Sequence, residues 1–166
     1  MIEKQKQQLR RAFIDTLTEF AEQDPKVILI IGDVGFSVFE PFIERFPNQF
    51  LNAGVAEQNM MGLAAGMARE NWKPYVYTMS NFILLRPLEQ VRNDICYAKA
   101  NVKLFGVKGG DSYKFYGMSH NLAEGEEKGM LKFLPNINSY FPATEEETAS
   151  RMRDEYERDG AAYFSL

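Results

Sequence analysis

The stretch Val27-Ile28-Leu29-Ile30-Ile31 decides the fold of this 166-residue chain, because it is an unbroken apolar run between turn residues. Asp24-Pro25 precedes the run and Gly32-Asp33 follows it. A continuous apolar run of this length is typical of a parallel strand that is buried on both faces. The run therefore predicts a sheet with helices packed against both of its sides.

Helix and strand patterns alternate outward from this run. Before it, Leu9, Phe13, Leu17 and Phe20 recur at helical spacing, and Asp24-Pro25 ends that helix. After it, the pattern predicts helices around 38–46, 57–67, 88–95, 124–133 and 148–156 and strands around 49–52, 75–78, 102–107, 137–140 and 162–164. Such alternation predicts an α/β fold of three layers, αβα, with an open and mostly parallel sheet.

Composition predicts one ordinary globular domain spanning residues 1–166. The chain is 45% hydrophobic and 25% charged, and no repeat, low-complexity segment or linker divides it. The net charge of −4 argues against a nucleic-acid partner. The sequence shows neither a signal peptide nor a membrane-spanning apolar run, so we expect a cytoplasmic protein.

Metal and disulfide chemistry find little support in the sequence. Cys96 is the one cysteine and His120 the one histidine, so neither a disulfide nor a Cys/His metal site is expected. A lone histidine is more often structural than catalytic, and its position has to decide between the two roles.

The run from Asn52 to Met67 places a carboxylate, Glu57, at the start of a helix of small and apolar residues. If Gly54 is the N-cap, Glu57 is the third helical residue and caps the helix through its side chain. Alternatively, the carboxylate does proton chemistry in a dry place, since burial favours its protonated form. Gly62, Ala65 and Gly66 are expected to form a smooth surface for close packing.

Chemically capable side chains follow the ends of four predicted strands. Ligands of parallel sheets collect beyond the carboxyl ends of the strands. The residues that follow these ends are Asp33, Glu57, Met79 with Phe82, and the segment from Lys108 to His120. The sequence therefore predicts a single site along this edge of the sheet.

Several motifs in register give a resemblance to a known family. They are Gly54-Val55-Ala56-Glu57-Gln58-Asn59-Met60, Thr78-Met79-Ser80-Asn81-Phe82, Arg86-Pro87-Leu88-Glu89-Gln90-Val91-Arg92-Asn93-Asp94, Gly117-Met118-Ser119-His120 and Leu134-Pro135-Asn136. In order and spacing the chain resembles the pyrimidine-binding domain of transketolases, most closely the C-terminal subunit of transketolases that are divided between two polypeptides. The resemblance covers residues from about 33 to 147, which is most of the chain.

The resemblance implies thiamine diphosphate as cofactor and a two-carbon ketol transfer as the reaction. It implies that Glu57 hydrogen-bonds a ring nitrogen of the cofactor's aminopyrimidine and trades a proton with it. Phe82 and Met79 would hold that ring, with Asp33 also on the cofactor side. His120 would act on the substrate, a ketose phosphate or a related 2-keto compound. Lys108 and Arg86 are the cations for an anionic substrate, although Arg86 is also placed to pair with Glu89.

A partner chain follows from what the sequence lacks. Thiamine diphosphate enzymes of this family bind the diphosphate and Mg²⁺ through a second domain with a Gly-Asp-Gly motif. This chain has Gly32-Asp33-Val34 and Gly109-Gly110-Asp111, and neither matches. We therefore expect a diphosphate-binding transketolase subunit as partner, which holds the Mg²⁺ and shares the cofactor, in a homodimer or a heterotetramer.

Departures from the family pattern keep other functions open. Lys108 and Tyr116 stand where many transketolases have a histidine and an aspartate, and Phe141 replaces a phosphate-binding arginine. The alternatives are a scaffold or regulatory subunit of the same fold, and a subunit of a 2-keto acid decarboxylase or deoxyxylulose phosphate synthase. A flavodoxin-like binding module is a third class, which the first loop supports poorly because it contains few glycines.

Overall fold

The computed structural model describes residues 2–35, 37–109 and 111–166. Its centre is a six-stranded sheet in the order β2-β1-β3-β4-β6-β5, and all pairings within it are parallel. The strands are β1 Val27–Ile31, β2 Phe50–Asn52, β3 Lys73–Met79, β4 Lys103–Val107, β5 Ile137–Tyr140 and β6 Ala161–Ser165.

Helices connect these strands and cover the sheet. The α-helices are α1 Ile2–Gln23, α2 Glu40–Arg45, α3 Glu57–Arg69, α4 Ser80–Leu84, α5 Leu88–Gln90, α6 Glu126–Phe133 and α7 Glu145–Tyr156. α5 continues as a π-helix over Val91–Tyr97, and 3₁₀ segments span Pro47–Gln49 and Asp111–Ser119. None of the helices in the described ranges combines the length and the apolar character needed to cross a bilayer.

The central strand β1 shows why its sequence is apolar throughout. Ile28 and Ile30 point to the side covered by α3, the π-helix and α6. Val27, Leu29 and Ile31 point to the side covered by α1, α2 and α7. Because both faces lie under helices, every position of the strand is buried. The predicted three-layer α/β fold with a parallel sheet is therefore confirmed.

The prediction from sequence was less accurate at short or irregular elements. The helix predicted at 38–46 is the shorter α2, and α4 and the Asp111–Ser119 segment were not predicted. A helix of five residues, such as α4, is too short to show a periodic pattern. Ala65 is buried in the core, so only Gly62 and Gly66 of the predicted small-residue surface face outward.

The strand order creates a crevice at one edge of the sheet. β1 lies between β2 and β3, so the chain leaves β1 toward one side of the sheet and leaves β3 toward the other. Such a reversal separates the loops that follow the two strands and opens space for a ligand. The loop with Asp33 follows β1 and the helix α4 with Phe82 follows β3, so both border this crevice.

Gly106 in β4 provides a test of the packing beneath this edge. A Cβ atom at this position would collide with the Tyr163 hydroxyl oxygen and would lie 2.8 Å from Ser80 Oγ. We expect Gly106→Ala to lower the free energy of unfolding by about 1 to 3 kcal/mol through overpacking. Gly62→Ala on α3 is the control: no atom crowds its Cβ, so a gain of at most ~1 kcal/mol is expected. Urea denaturation measures the free energy of unfolding of both variants. Equal values would contradict the close packing of Tyr163 and Ser80 against Gly106.

Asp24 provides a second test, of pH dependence. Burial alone would raise the pKa of Asp24, but hydrogen bonds from Lys73 and the Lys26 amide outweigh burial and hold it below its ordinary value of 3.8. A lowered carboxyl pKa stabilises the fold above the ordinary value, and the contribution is lost as the pH falls through the folded-state pKa.

We expect Asp24→Asn to cost about 1 to 2 kcal/mol at neutral pH and progressively less as the pH falls below 3.8. The control is Asp15→Asn, because the ion pair of Asp15 with Arg11 is exposed at 3.6 Å and should contribute less than ~0.5 kcal/mol. Thermal denaturation between acidic and neutral pH measures both effects, and a pH-independent cost of Asp24→Asn would refute the argument.

Candidate active site

Glu57 is the first residue of α3 and is only 6% exposed. The N-cap is Ala56, so the expectation that Gly54 caps the helix and that Glu57 is its third residue is wrong. Gly54 lies further upstream in a turn with φ +72°, where its amide donates to Asn52 Oδ1. The carboxylate is favoured by the positive end of the helix dipole, but the partner that its burial requires is a side chain from elsewhere in the chain.

That partner is Arg86, in the connection between α4 and α5. Its Nη1 donates to Glu57 Oε1 at 2.7 Å, and its guanidinium carbon lies 3.5 Å from the centre of the Phe82 ring. The alternative pairing of Arg86 with Glu89 is therefore wrong. The structure brings the carboxylate, the guanidinium and the aromatic ring together as one contiguous group.

His120 also contacts Phe82. The two rings meet edge to face with centroids 5.1 Å apart, and Tyr116 stacks on the imidazole at 4.3 Å. Ser119 Oγ is 2.7 Å from His120 Nδ1. Asn81 Nδ2 donates to the Ser119 carbonyl, which ties this loop to α4. Glu57 and His120, far apart in sequence, are thus linked through Phe82.

Asp33 and Met79 lie at the same edge but have different surroundings. Asp33 is exposed, and its amide and carboxylate both hydrogen-bond with the Asn52 side chain at 3.1 Å. Met79 is the last residue of β3, where it is buried among the core residues. Asp33 therefore links the loop after β1 to the end of β2, and Met79 is a buried residue at the end of β3.

A cavity of about 630 Å³ opens beside His120. Its lining includes Lys108 together with Lys6 and Lys128. Two carboxylates, Glu124 and Glu127, also line the cavity, so its three lysines exceed its acids by one charge. In the described part of the chain, no group of three or more His, Cys, Asp or Glu side chains is arranged to hold a metal ion.

Glu127 forms the buried end of this cavity and was missed by the sequence analysis. Its carboxylate accepts hydrogen bonds from Ser80 Oγ at 3.1 Å, Tyr163 Oη at 2.6 Å and Ser165 Oγ at 3.1 Å. Lys108 Nζ lies 3.2 Å from it, at the mouth of the cavity. Burial, together with the Glu127 carboxylate, raises the pKa of Tyr163 well above its usual value, so this hydroxyl remains a donor.

A sequence signal for Glu127 did exist. Glu127 and Leu131 are the buried residues of α6, and Leu134 follows at helical spacing. An acid at a position of the apolar stripe has to find polar partners in the fold. Those partners come from β6 and α4, so only the tertiary structure identifies them.

A doubly wound parallel sheet with a buried carboxylate beside an aromatic face, at the carboxyl ends of its strands, defines a ligand-binding α/β domain. Residues 5–166 match the family described as "Transketolase, pyrimidine binding domain". The chain belongs to this family. The match confirms the resemblance seen in the motifs and disfavours the flavodoxin-like alternative.

Individual relatives agree with this assignment. The chain is 35% identical over 145 residues to one subunit of the apulose-4-phosphate transketolase of Phocaeicola vulgatus, covering 87% of this chain and 46% of the relative. It is 31% identical over 159 residues to a putative transketolase C-terminal section of Methanocaldococcus jannaschii, covering 95% and 50%. Among solved structures, a split-gene transketolase described as an inactive beta4 tetramer superposes with a TM-score of 0.83 at 32% identity, covering 95% and 50%. The chain thus spans about half the length of these relatives.

The Glu127 cluster predicts unequal costs for removing its partners. Tyr163→Phe should lower the free energy of unfolding by about 1 to 3 kcal/mol, because a buried carboxylate loses a donor. Lys108→Met should cost less than ~1 kcal/mol, because the Lys108 side chain is 53% exposed and water can replace it. Chemical denaturation measures the free energy of unfolding of the two variants. A larger loss for Lys108→Met than for Tyr163→Phe would contradict the view that the hydroxyl groups are the main partners of Glu127.

Proposed function

We propose that this chain is the pyrimidine-binding part of a thiamine diphosphate-dependent transketolase-like enzyme that transfers a two-carbon ketol unit. The observation that carries the proposal is the buried Glu57 carboxylate in one group with the Phe82 ring at the carboxyl edge of the sheet. Family membership supports it, and so do relatives described as transketolase subunits.

The residues fit the aminopyrimidine half of that cofactor. A flat heteroaromatic ring needs an aromatic face to stack on and a carboxylate to meet its ring nitrogen. Phe82 supplies the first, worth about 0.5 to 1.5 kcal/mol beyond its buried area, and Glu57 supplies the second. When bound, thiamine diphosphate supplies an electron sink for the carbon–carbon bond that is broken and made.

Glu57 is proposed to hold and return a proton at its carboxylate oxygen. Its burial keeps water from competing for that proton, and its place at the helix start fixes the carboxylate in position. Met79 is buried at the end of β3, directly before the helix that carries Phe82, and Asp33 holds the neighbouring loop through Asn52. These residues bind and orient the ring, and Glu57 alone among them does proton chemistry.

His120 is proposed to act on the substrate. It contacts Phe82 on one side and lines the lysine-rich cavity on the other, so it lies between the ring site and the space for a substrate. Imidazole is the side chain that exchanges protons most readily near neutral pH. The contact with Ser119 Oγ orients the imidazole ring.

The cavity favours an anionic substrate, such as a ketose phosphate or a related 2-keto compound. Lys108, Lys6 and Lys128 line it, and the Lys108 and Lys128 ammonium groups also lie 5.9 Å and 5.1 Å from the Phe141 ring centre. Lys108 is thus our leading candidate for the substrate's anionic group. The Lys108 ammonium group is paired with Glu127, but its side chain is 53% exposed, so an anion can reach it. Arg86 is not among the lining residues.

A partner chain is part of the proposal because the ring site alone binds weakly. One stacked ring and one charge-assisted hydrogen bond supply about 3 to 4 kcal/mol, which corresponds to a millimolar dissociation constant at best. The diphosphate and its Mg²⁺ therefore need a second, diphosphate-binding subunit. We propose an assembly of two such pairs with the cofactor held between the two kinds of chain.

The decisive experiment replaces Glu57 in the complex of this chain with its partner, isolated by affinity capture from the native organism. Glu57→Gln keeps the shape and removes the proton-trading group, so hydrogen–deuterium exchange at the thiazolium carbon should fall at least ~100-fold. NMR of acid-quenched samples measures the exchange. Glu89→Gln, on the exposed side of α5, is the matched control and should leave the rate unchanged. Undiminished exchange in Glu57→Gln would refute the proposed function.

A further inference from the structure

We propose that Arg86 occupies the aminopyrimidine slot in the isolated chain, and that the cofactor has to displace its guanidinium in order to bind. The inference rests on the proposed function, since it concerns the same Glu57 and Phe82. In the chain without cofactor, Arg86 would thus inhibit binding at the site where the aminopyrimidine is proposed to bind.

The guanidinium imitates the ring in both of its contacts. It is planar and carries N–H donors in its plane, as a protonated aminopyrimidine does. Its edge donates to Glu57 Oε1 at 2.7 Å, and its face lies 3.5 Å above Phe82. Hydrogen bonding to the carboxylate and stacking on the phenyl ring are the two contacts that the cofactor ring is expected to make.

Exposure shows that the slot is closed. Glu57 and Phe82 are each 6% exposed, so a ligand cannot reach both without moving some part of the chain. The Arg86 side chain is 41% exposed and has several rotatable bonds, so it is free to swing outward. Its backbone carbonyl accepts a hydrogen bond from Gln58 Nε2 at 3.3 Å, which links this segment to α3. The cover is therefore a side chain and not a loop.

Charge gives a second reason for Arg86 to leave. Arg86 carries a positive charge and is ion-paired with the Glu57 carboxylate, so the charge of that carboxylate is already satisfied. A ring that takes a proton from Glu57 would place a second cation beside the same carboxylate in a dry site. Two cations at one carboxylate repel each other there. Proton exchange thus requires a slot without the guanidinium.

The test titrates thiamine into the isolated chain and follows it by NMR up to millimolar concentrations. We expect Arg86→Met to bind thiamine about tenfold more tightly than the unmodified chain, since an ion pair and a cation–π contact no longer compete. Arg92→Met is the matched control: this arginine contacts Asn93 and Tyr97, away from the slot, and its loss should leave the affinity unchanged. Adding Glu57→Gln to Arg86→Met should abolish the gain.

The outcomes separate this inference from the proposed function. Equal or weaker thiamine binding by Arg86→Met would overturn the inference, because it would make Arg86 a support of the slot and not its occupant. The same holds if Arg86→Met shows no saturable binding. If Arg86→Met does not fold by circular dichroism, Arg86→Lys replaces it, and its loss of the planar stack should still give about a threefold gain. Saturable binding to the unmodified chain that Glu57→Gln leaves unchanged would instead count against the proposed function.

Discussion

The constraint on which the rest of the structure depends is that the central strands are covered by helices on both faces. Both faces of β1 and β4 are buried under helices, so most residues of these two strands are apolar. Polar side chains that do chemistry then have to lie where the strands end. The reversal of strand order beside β1 leaves a crevice at the carboxyl edge, and Glu57, Phe82, His120 and Lys108 are carried to it by the segments that follow the strands.

Burial of carboxylates organises this edge in two separate ways. Glu57 is paired with one partly exposed arginine, whereas Glu127 accepts hydrogen bonds from three hydroxyl groups from α4 and β6, with Lys108 at its outer side. A buried charge that loses its partner is costly, so each arrangement keeps its carboxylate paired. The difference lies in the exposure of the partners: the three hydroxyl groups belong to buried residues, whereas the Arg86 side chain is 41% exposed. This difference supports the proposal that Glu57 exchanges its partner for a ligand.

Prediction from sequence was accurate where a signal is repeated along the chain. Leu9, Phe13 and Leu17 recur at helical spacing and predict α1. The run from Val27 to Ile31 predicts a strand because all of its residues are apolar. The edge of the sheet that holds the candidate site was also predicted. The pairing of Arg86 was not, because Glu89 was the nearer acid in sequence while Glu57 is nearer in space. The N-cap at Ala56 was not predicted, because an alanine side chain cannot make the capping hydrogen bond by which N-caps are recognised in a sequence.

By itself the sequence determined the layers of this protein and the family to which it belongs, and it supplied the candidate side chains for the site. These follow from local patterns and from motifs in register, which are properties of the chain before it folds. Only the tertiary structure decided that Arg86 closes over Glu57 and Phe82, that His120 lies against Phe82, and that Tyr163 supports Glu127 from beneath the cavity. The physical reason is that these contacts join residues from different elements, and their partners are set by the packing of helices on the sheet and not by distance along the chain.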